Sequence, residues 1–196
     1  MTLTMESGGT ISVESSYPDL LRMGHRFETS IGQRLVVDGF YGAMDFAFGG
    51  DGWFYALNRY HSTSGTRFPR VRFAVCNIDD EFPRNIEPLI NGKPQGSGEV
   101  SCSKLYESPV FCDSDLLGSL FFTDERANKV VTMTTESGDV TAAWGETGDG
   151  HGELNAPSGI SYLKDDTLWI VSTRSSLVQQ FTRSGEYIRG FGENGS

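Results

Sequence analysis

The sequence predicts an all-β fold made of short antiparallel strands joined by tight turns. Its 196 residues include 24 glycines and 13 phenylalanines. Glycine supplies the positive φ angles that tight turns need, whereas aromatic and β-branched residues suit pleated strands. Glycine- and aspartate-rich turns also separate short apolar runs, as at 49–52, 114–118 and 164–166. The third observation is an internal repeat.

The repeat has a period of about 47 residues. Residues 119–144 correspond to residues 167–191, and Gly138 and Gly185 are 47 positions apart. An earlier copy begins at Trp53 and carries an insertion after its second strand. Four strands per unit at this period predict the blade of a β-propeller, in which each sheet stacks on the next.

These segments resemble the NHL family of propellers. Residues 148–160 resemble the glycine-rich linking loop of the family and its Pro-x-Gly-Ile ending, and residues 183–192 resemble its final hairpin and Phe-Gly end. The resemblance covers 118–192 most clearly and extends to 40–82. NHL-like propellers usually have six blades, and about three repeats are found in this sequence. The resemblance therefore implies a partial β-propeller of about three four-stranded antiparallel blades.

The predicted organisation is a polar, partly disordered N-terminal segment at 1–24 and a propeller arc at 25–196. The blades are expected at about 33–86, 87–145 and 146–192. Within the arc, 26–32 resembles the outer strand of a preceding blade, and 87–107 is a loop rich in proline, glycine and serine.

An arc of three blades leaves two apolar sheet faces uncovered, and large exposed apolar faces usually mark interaction sites. We therefore expect a homo-oligomer, or a complementary chain that completes the ring. A self-contained irregular fold and a truncated fragment are the alternatives.

The net charge and the absence of a long apolar run limit the kinds of partner and the location to be expected. The formal net charge is −10, which argues against nucleic-acid binding because most of that affinity comes from lysine and arginine. Neither a signal-peptide pattern nor an apolar run of membrane-spanning length is present, so we expect a soluble, cytoplasmic protein. Cys76, Cys102 and Cys112 are expected to be buried reduced thiols, with a Cys102–Cys112 disulfide as the alternative.

Three arginines form the clearest candidate binding site. Arg59, Arg126 and Arg174 occupy similar places in the three repeats, and three guanidinium groups at one rim of a channel would bind a carboxylate or a phosphate. The alternative is that each arginine pairs with an acid of the neighbouring blade or caps carbonyl groups.

Candidate metal ligands are few. Asp45, Asp124 and His61 are possible ligands for Ca²⁺ or Zn²⁺, and Tyr60 lies beside His61 as a further ligand-binding candidate. The alternative for the two aspartates is that they accept hydrogen bonds from backbone donors. His25 and His151, the other histidines, lie in unlike contexts.

No catalytic constellation emerges from these residues. We therefore predict a non-catalytic binding or scaffold module that engages a protein or a small anionic ligand, chiefly through loops at 60–70 and 87–107. The alternative is a metal-assisted lyase or hydrolase whose site is completed by oligomerisation. It comes from the resemblance, because the peptide-amidating lyases are NHL-type propellers that hold zinc with histidines.

Overall fold

The computed structural model describes residues 2–4, 10–12, 40, 42–61, 69–94 and 108–193. The chain divides into two units, residues 1–30 and 31–196. Within the described ranges there is no helix long and apolar enough to cross a membrane.

The first unit contains one short hairpin. Strand β1, Thr2–Thr4, pairs antiparallel with β2, Thr10–Ser12, and Leu3 lies opposite Ile11. The sequence predicts a polar, partly disordered segment at 1–24, and this hairpin lies within it. Strand 26–32, expected from the sequence, lies outside the described residues.

The second unit contains three four-stranded antiparallel sheets among its described residues. The first blade comprises Ala43–Phe48 (β3), Phe54–His61 (β4), Pro69–Cys76 (β5) and Arg84–Ile86 (β6). A two-stranded hairpin follows, formed by Leu89–Ile90 (β7) and Lys93–Pro94 (β8). The second blade comprises Pro109–Ser114 (β9), Ser119–Asp124 (β10), Lys129–Thr134 (β11) and Val140–Trp144 (β12). The third comprises Pro157–Leu163 (β13), Thr167–Ser172 (β14), Leu177–Thr182 (β15) and Tyr187–Phe191 (β16).

Each sheet pairs its strands in chain order, which confirms the predicted all-β fold with three propeller-like blades. The first strands are innermost and adjacent, with β9 between β3 and β13. Five residues separate facing partners across the connection after each first strand: Phe48 and Phe54, Ser114 and Leu120, Tyr162 and Leu168. In the third blade Leu163 and Thr167 also pair within this connection. The fourth residue of each turn has a positive φ: Gly52, Gly118 and Asp166. This shared register gives a residue-by-residue alignment of the blades.

The core lies between the blades rather than within them. Alternate residues of a strand face opposite neighbours, so Phe122 packs towards the first blade and Phe121 towards the third. Phe73 and Phe122 have ring centroids 5.9 Å apart across the first interface. Fully burying one such side chain stabilises the fold by about 1.5–3 kcal/mol.

Two cysteines are part of this packing. Cys76 and Cys112 are buried free thiols, and Cys102 lies outside the described residues. Burial raises the pKa of both thiols, and the Asp45 carboxylate raises that of Cys112 further. Both groups are therefore neutral at physiological pH, and Cys112 is not in a disulfide.

Candidate functional site

The three candidate arginines do not share one position in the blades. The N–H of Arg59 donates to Gly42 O, and the corresponding bond is made by Glu125 to Ser108 O and by Thr173 to Ala156 O. Arg59 therefore aligns with Glu125 and Thr173, and the alignment expected from the sequence is wrong by one residue. The reason is that β4 continues to His61, whereas β10 and β14 end before the arginine and turn.

Arg59 joins the first blade to the second. Its Nη1 donates to Ser108 Oγ at 2.6 Å and lies 3.3 Å from Glu125 Oε1. Ser108 Oγ donates to the same Glu125 oxygen at 2.9 Å. Arg59 thus pairs with an acid of the neighbouring blade, which is the alternative that the sequence leaves open for this arginine. Arg126 and Arg174 are exposed on the turns that follow β10 and β14.

The two aspartates proposed as metal ligands accept backbone hydrogen bonds. Asp124 is buried, and it accepts bonds from Ser108 N at 2.6 Å, Arg126 N at 3.0 Å and Ala127 N at 2.8 Å. Asp45 Oδ2 accepts a bond from Cys112 N at 3.0 Å. Within the described ranges, no three His, Cys, Asp or Glu residues lie close enough together to hold a metal ion.

The remaining candidates lie at the edge of the described structure. Tyr60 and His61 end β4, opposite Arg70 and Pro69 of β5. The recognition loops expected from the sequence fall largely in 62–68 and 95–107, which are outside the described residues, as is His25. His151 Nδ1 lies 3.1 Å from the hydroxyl of Tyr187.

Inner-strand carboxylates join successive blades. Asp45 on β3 accepts the N–H of Cys112 on β9, and Asp113 on β9 accepts the N–H of Tyr162 on β13 at 2.7 Å. An innermost strand has a free edge, and an unpaired backbone donor there costs free energy when it is buried. Each carboxylate thus satisfies a donor on the next blade. Asp113 could not be identified from the sequence, because no neighbouring residue indicates that the N–H of Tyr162, 49 positions away, is its partner.

The turn between β9 and β10 is held by Asp115. One carboxylate oxygen, Oδ1, accepts the N–H groups of Leu117 at 2.8 Å and Ser119 at 2.9 Å. The other, Oδ2, lies 3.0 Å from Arg183 Nη1, and the Asp115 side chain is only 3% exposed. Arg183 comes from the third blade, so both blades fix the conformation of this turn.

Arg183 makes further contacts that hold it in place. Its Nη2 donates to Ser119 Oγ at 2.6 Å, and its guanidinium lies 5.1 Å from the centroid of the Phe121 ring. Burial alone would raise the pKa of Asp115. The N–H groups of Ser119 and Leu117 and the Arg183 guanidinium outweigh burial and hold that pKa below its usual range.

Two leucines project from this turn, and we call them the leucine tip. Leu116 is 55% exposed and has a φ of 59°, in the left-handed region, and Leu117 is 88% exposed. A left-handed non-glycine residue costs of order 1–2 kcal/mol, and such strain concentrates at functional sites. In the sequence, the two leucines stand out as an apolar pair inside an otherwise polar turn, and this pattern could have indicated an exposed binding tip.

A cleft of about 250 Å³ with both polar and apolar lining residues lies beside the tip, between the first and second blades. Its lining includes Gly50, Asp51, Tyr55 and Thr135 together with both leucines. Tyr55 donates to Asp51 Oδ2 at 2.6 Å, and burial and the Asp51 carboxylate raise the pKa of Tyr55 to about 12. The phenol is therefore a neutral hydrogen-bond donor. The tip and the cleft together present an apolar projection beside a recess that contains hydrogen-bonding groups.

Comparison with known proteins identifies the fold. No family model matches the sequence, and no curated protein matches it. Among solved structures, the chain is similar to a nidogen/laminin complex, with a TM-score of 0.51 and 15% identity over 78% of this chain and 48% of that chain.

The chain is also similar to a catalytically inactive virginiamycin B lyase from Staphylococcus aureus with quinupristin. The TM-score is 0.47 and the identity 20%, over 100% of this chain and 49% of that chain. A streptogramin B lyase gives a TM-score of 0.44 and 17% identity over 99% and 48%. The three four-stranded sheets and the match to the nidogen/laminin complex show a β-propeller fold. The chain spans about half the length of these matched chains.

Proposed function

We propose that this chain is a non-catalytic binding module that engages a protein partner through the leucine tip. The observation that carries the proposal is Leu117, 88% exposed on a turn whose backbone is fixed by Asp115. Single exposed leucines are common on protein surfaces and need no explanation. Here two adjacent leucines project from a turn that is strained and anchored on both sides.

Rigidity is what makes this turn suited to binding. A loop that is already held in its bound conformation loses little entropy on association, so more of the contact energy appears as affinity. The Asp115 carboxylate and the Arg183 guanidinium supply that rigidity. The neighbouring cleft adds hydrogen-bonding groups, and binding surfaces commonly combine an apolar anchor with a polar surround.

The charged residues that suggested chemistry have structural partners instead. Arg59 bonds to Ser108 and Glu125, and Asp45 and Asp124 accept backbone N–H groups. These contacts support a binding role over a catalytic one. For a small anionic ligand, the exposed Arg126 and Arg174 remain the groups to test.

The experiment places a photo-crosslinking amino acid at position 117, identifies the captured protein and then measures its affinity as a purified component. We expect Leu117→Asp to weaken binding at least tenfold, because a charge would enter an apolar contact; tenfold equals about 1.4 kcal/mol. Ile78→Asp is the matched control, since Ile78 is 61% exposed on a different turn. Arg126→Ala with Arg174→Ala tests the anionic alternative.

Two results would contradict the proposal. One is equal affinity for the Leu117→Asp and Ile78→Asp proteins, which would show that the tip is not the contact. The other is stoichiometric zinc or calcium in the purified protein, together with turnover lost on chelation. That result would favour the alternative function, a metal-assisted lyase or hydrolase.

A further inference from the structure

The end of the blades that carries the leucine tip is strongly acidic. Strands alternate in direction within each sheet, so the turns after the first and third strands share this end. These turns lie at 49–53, 77–83, 115–118, 135–139, 164–166 and 183–186. They hold ten Asp and Glu residues but only two cations, Lys164 and Arg183. We infer that the partner of the leucine tip is a basic protein segment, whose lysine or arginine side chains surround an apolar contact.

This inference rests on the proposed function and adds the chemistry of the partner. The apolar contact is the one that Leu117 offers, and the acidic turns around it decide the charge that a partner must bring. Charges of opposite sign across an interface favour the encounter of the right partner, and charges of the same sign exclude wrong ones.

Most of the acidic groups at this end are exposed. Asp115 is buried and paired with Arg183, and Asp80 is half-buried. Arg84, which begins β6, adds one positive charge beside these turns, and it donates to the carbonyl oxygens of Thr135 and Glu136. The eight exposed acids are Asp51, Asp79, Glu81, Glu136, Asp139, Asp165, Asp166 and Glu186.

A carboxylate flanks the leucine tip on each side. Asp51 of the first blade lines the cleft together with both leucines. The donors to its carboxylate, Trp53 N at 3.1 Å and the Tyr55 hydroxyl at 2.6 Å, are neutral. On the other side, Asp166 of the third blade lies 3.4 Å from Arg183, whose guanidinium also holds the tip. A partner that packs on the leucines therefore meets negative charge on both sides.

The opposite end of the blades has no comparable excess of acids among its described residues. Its turns and connection at 125–128, 145–156 and 173–176 carry four acids and two arginines. One of these acids, Glu125, is paired with Arg59. A negative net charge that served only solubility would not need to favour one end. Within the described turns, the negative charge is concentrated around the leucine tip.

The spread of the acids favours an extended basic segment over a metal ion. A Ca²⁺ ion needs several oxygen atoms within about 2.3–2.6 Å, and no three His, Cys, Asp or Glu residues of the described ranges lie close enough together to hold one. Nucleic acids and anionic membranes carry the same sign of charge as this end of the blades and would be repelled. A basic protein segment complements both the acids and the leucines.

The acids and the leucines should act on different steps of binding. Exposed charges raise the rate of association and are screened by salt, whereas a desolvated apolar anchor slows dissociation. We therefore expect the affinity for the partner to fall as the salt concentration rises. Loss of the Leu117 side chain should weaken binding at every salt concentration.

The test selects short random peptides, displayed on phage, against the purified 196-residue chain. Peptides that also bind Leu117→Ser are discarded, and serine is used because it adds no charge. We expect the retained peptides to be enriched in lysine and arginine beside leucine, isoleucine or aromatic residues. Retained peptides with no excess of basic residues would overturn this inference and leave the proposed function standing. A selection that retains no peptide would count against both.

Charge variants then locate the contact on the chain. Asp51→Asn with Asp166→Asn removes the two flanking charges and keeps the side-chain shapes. We expect this double variant to bind a retained synthetic peptide about threefold to tenfold more weakly at about 0.05 M salt, and nearly as well as the wild type at about 0.5 M. Glu146→Gln with Glu193→Gln is the matched control, because both residues are exposed at the opposite end.

Three results would overturn the inference. The first is an equal loss of affinity in the two double variants, which would mean that net charge alone attracts the peptide. The second is a wild-type affinity that does not change between about 0.05 M and about 0.5 M salt. The third is binding to vesicles of anionic phospholipid that is lost in Leu117→Ser, which would make the tip a membrane contact.

Discussion

Asp115 in the second blade and Arg183 in the third form an ion pair across 68 positions of sequence, with Arg183 Nη1 3.0 Å from Asp115 Oδ2. The carboxylate also accepts two N–H groups of its own turn. One side chain thus sets the shape of the leucine tip and joins two blades. A change at Asp115 should therefore affect both stability and binding.

The first prediction is that Asp115→Asn lowers the free energy of unfolding by about 1–3 kcal/mol at pH 7, because a buried charged acceptor is replaced by a neutral one. Urea unfolding measures it. Asp166→Asn is the control. The Asp166 side chain is 60% exposed and 3.4 Å from Arg183, and exposed pairs contribute little.

The pH dependence of that difference tests its electrostatic origin. The folded pKa of Asp115 lies below its unfolded value, so its stabilisation is present above the ordinary aspartate pKa of about 3.9 and is lost as the pH falls through the folded pKa. The wild-type protein and Asp115→Asn should therefore converge in stability below about pH 4. A difference that stays constant through this range would contradict the assignment.

The second prediction concerns the junction between the first two blades. Asp45→Ala removes the acceptor of Cys112 N, which should cost about 1–2 kcal/mol and open the interface more often. In a Cys76→Ala, Cys102→Ala background, we expect a thiol reagent to label Cys112 faster. Asp113→Ala is the matched control, because it removes the acceptor of Tyr162 N at the other junction. Equal labelling rates in both variants would refute the local explanation.

The sequence predicts the repeated parts of this fold well. Glycine turns such as the one ending at Gly118, and the 47-residue period that joins Gly138 to Gly185, reflect local steric requirements that recur in each blade. The strands between them follow from the same repeat. This reasoning fails at Arg59. Strand β4 extends beyond the point at which β10 and β14 end in a turn, so sequence similarity alone misaligns this arginine.

The candidate site was harder to predict because its contacts are not local. Asp113 and Asp115 differ little from other turn and strand aspartates in the sequence. Their roles depend on Tyr162 and Arg183, which belong to another blade. Side-chain contacts between blades depend on how the sheets stack, and a period alone does not specify which residues meet.

The third prediction tests the close packing of two inner turns. Gly50 has no side chain, and a Cβ there would collide with the carbonyl oxygen of Leu116. The φ of Gly50 is not positive, so alanine is acceptable to its own backbone. Gly50→Ala should therefore destabilise the protein by about 1–3 kcal/mol through overpacking alone.

Gly150→Ala is the control for Gly50→Ala. A Cβ at Gly150 would meet only the flexible end of the Glu153 side chain, at 3.0 Å. We expect its midpoint of thermal unfolding to remain near that of the wild type and that of Gly50→Ala to fall. Equal midpoints would show that the two turns do not pack as described.

The last prediction separates strain from function at the leucine tip. Leu116→Gly should stabilise the fold by about 0.5–1 kcal/mol, because relief of the left-handed strain, of order 1–2 kcal/mol, outweighs the added backbone entropy of glycine. Leu117→Gly should be neutral or destabilising, since Leu117 has no positive φ. Denaturant unfolding measures both, and partner affinity measured alongside should fall for each variant as apolar contact is lost. A destabilised Leu116→Gly protein would mean that the side chain of Leu116 contributes more to the fold than its backbone strain costs.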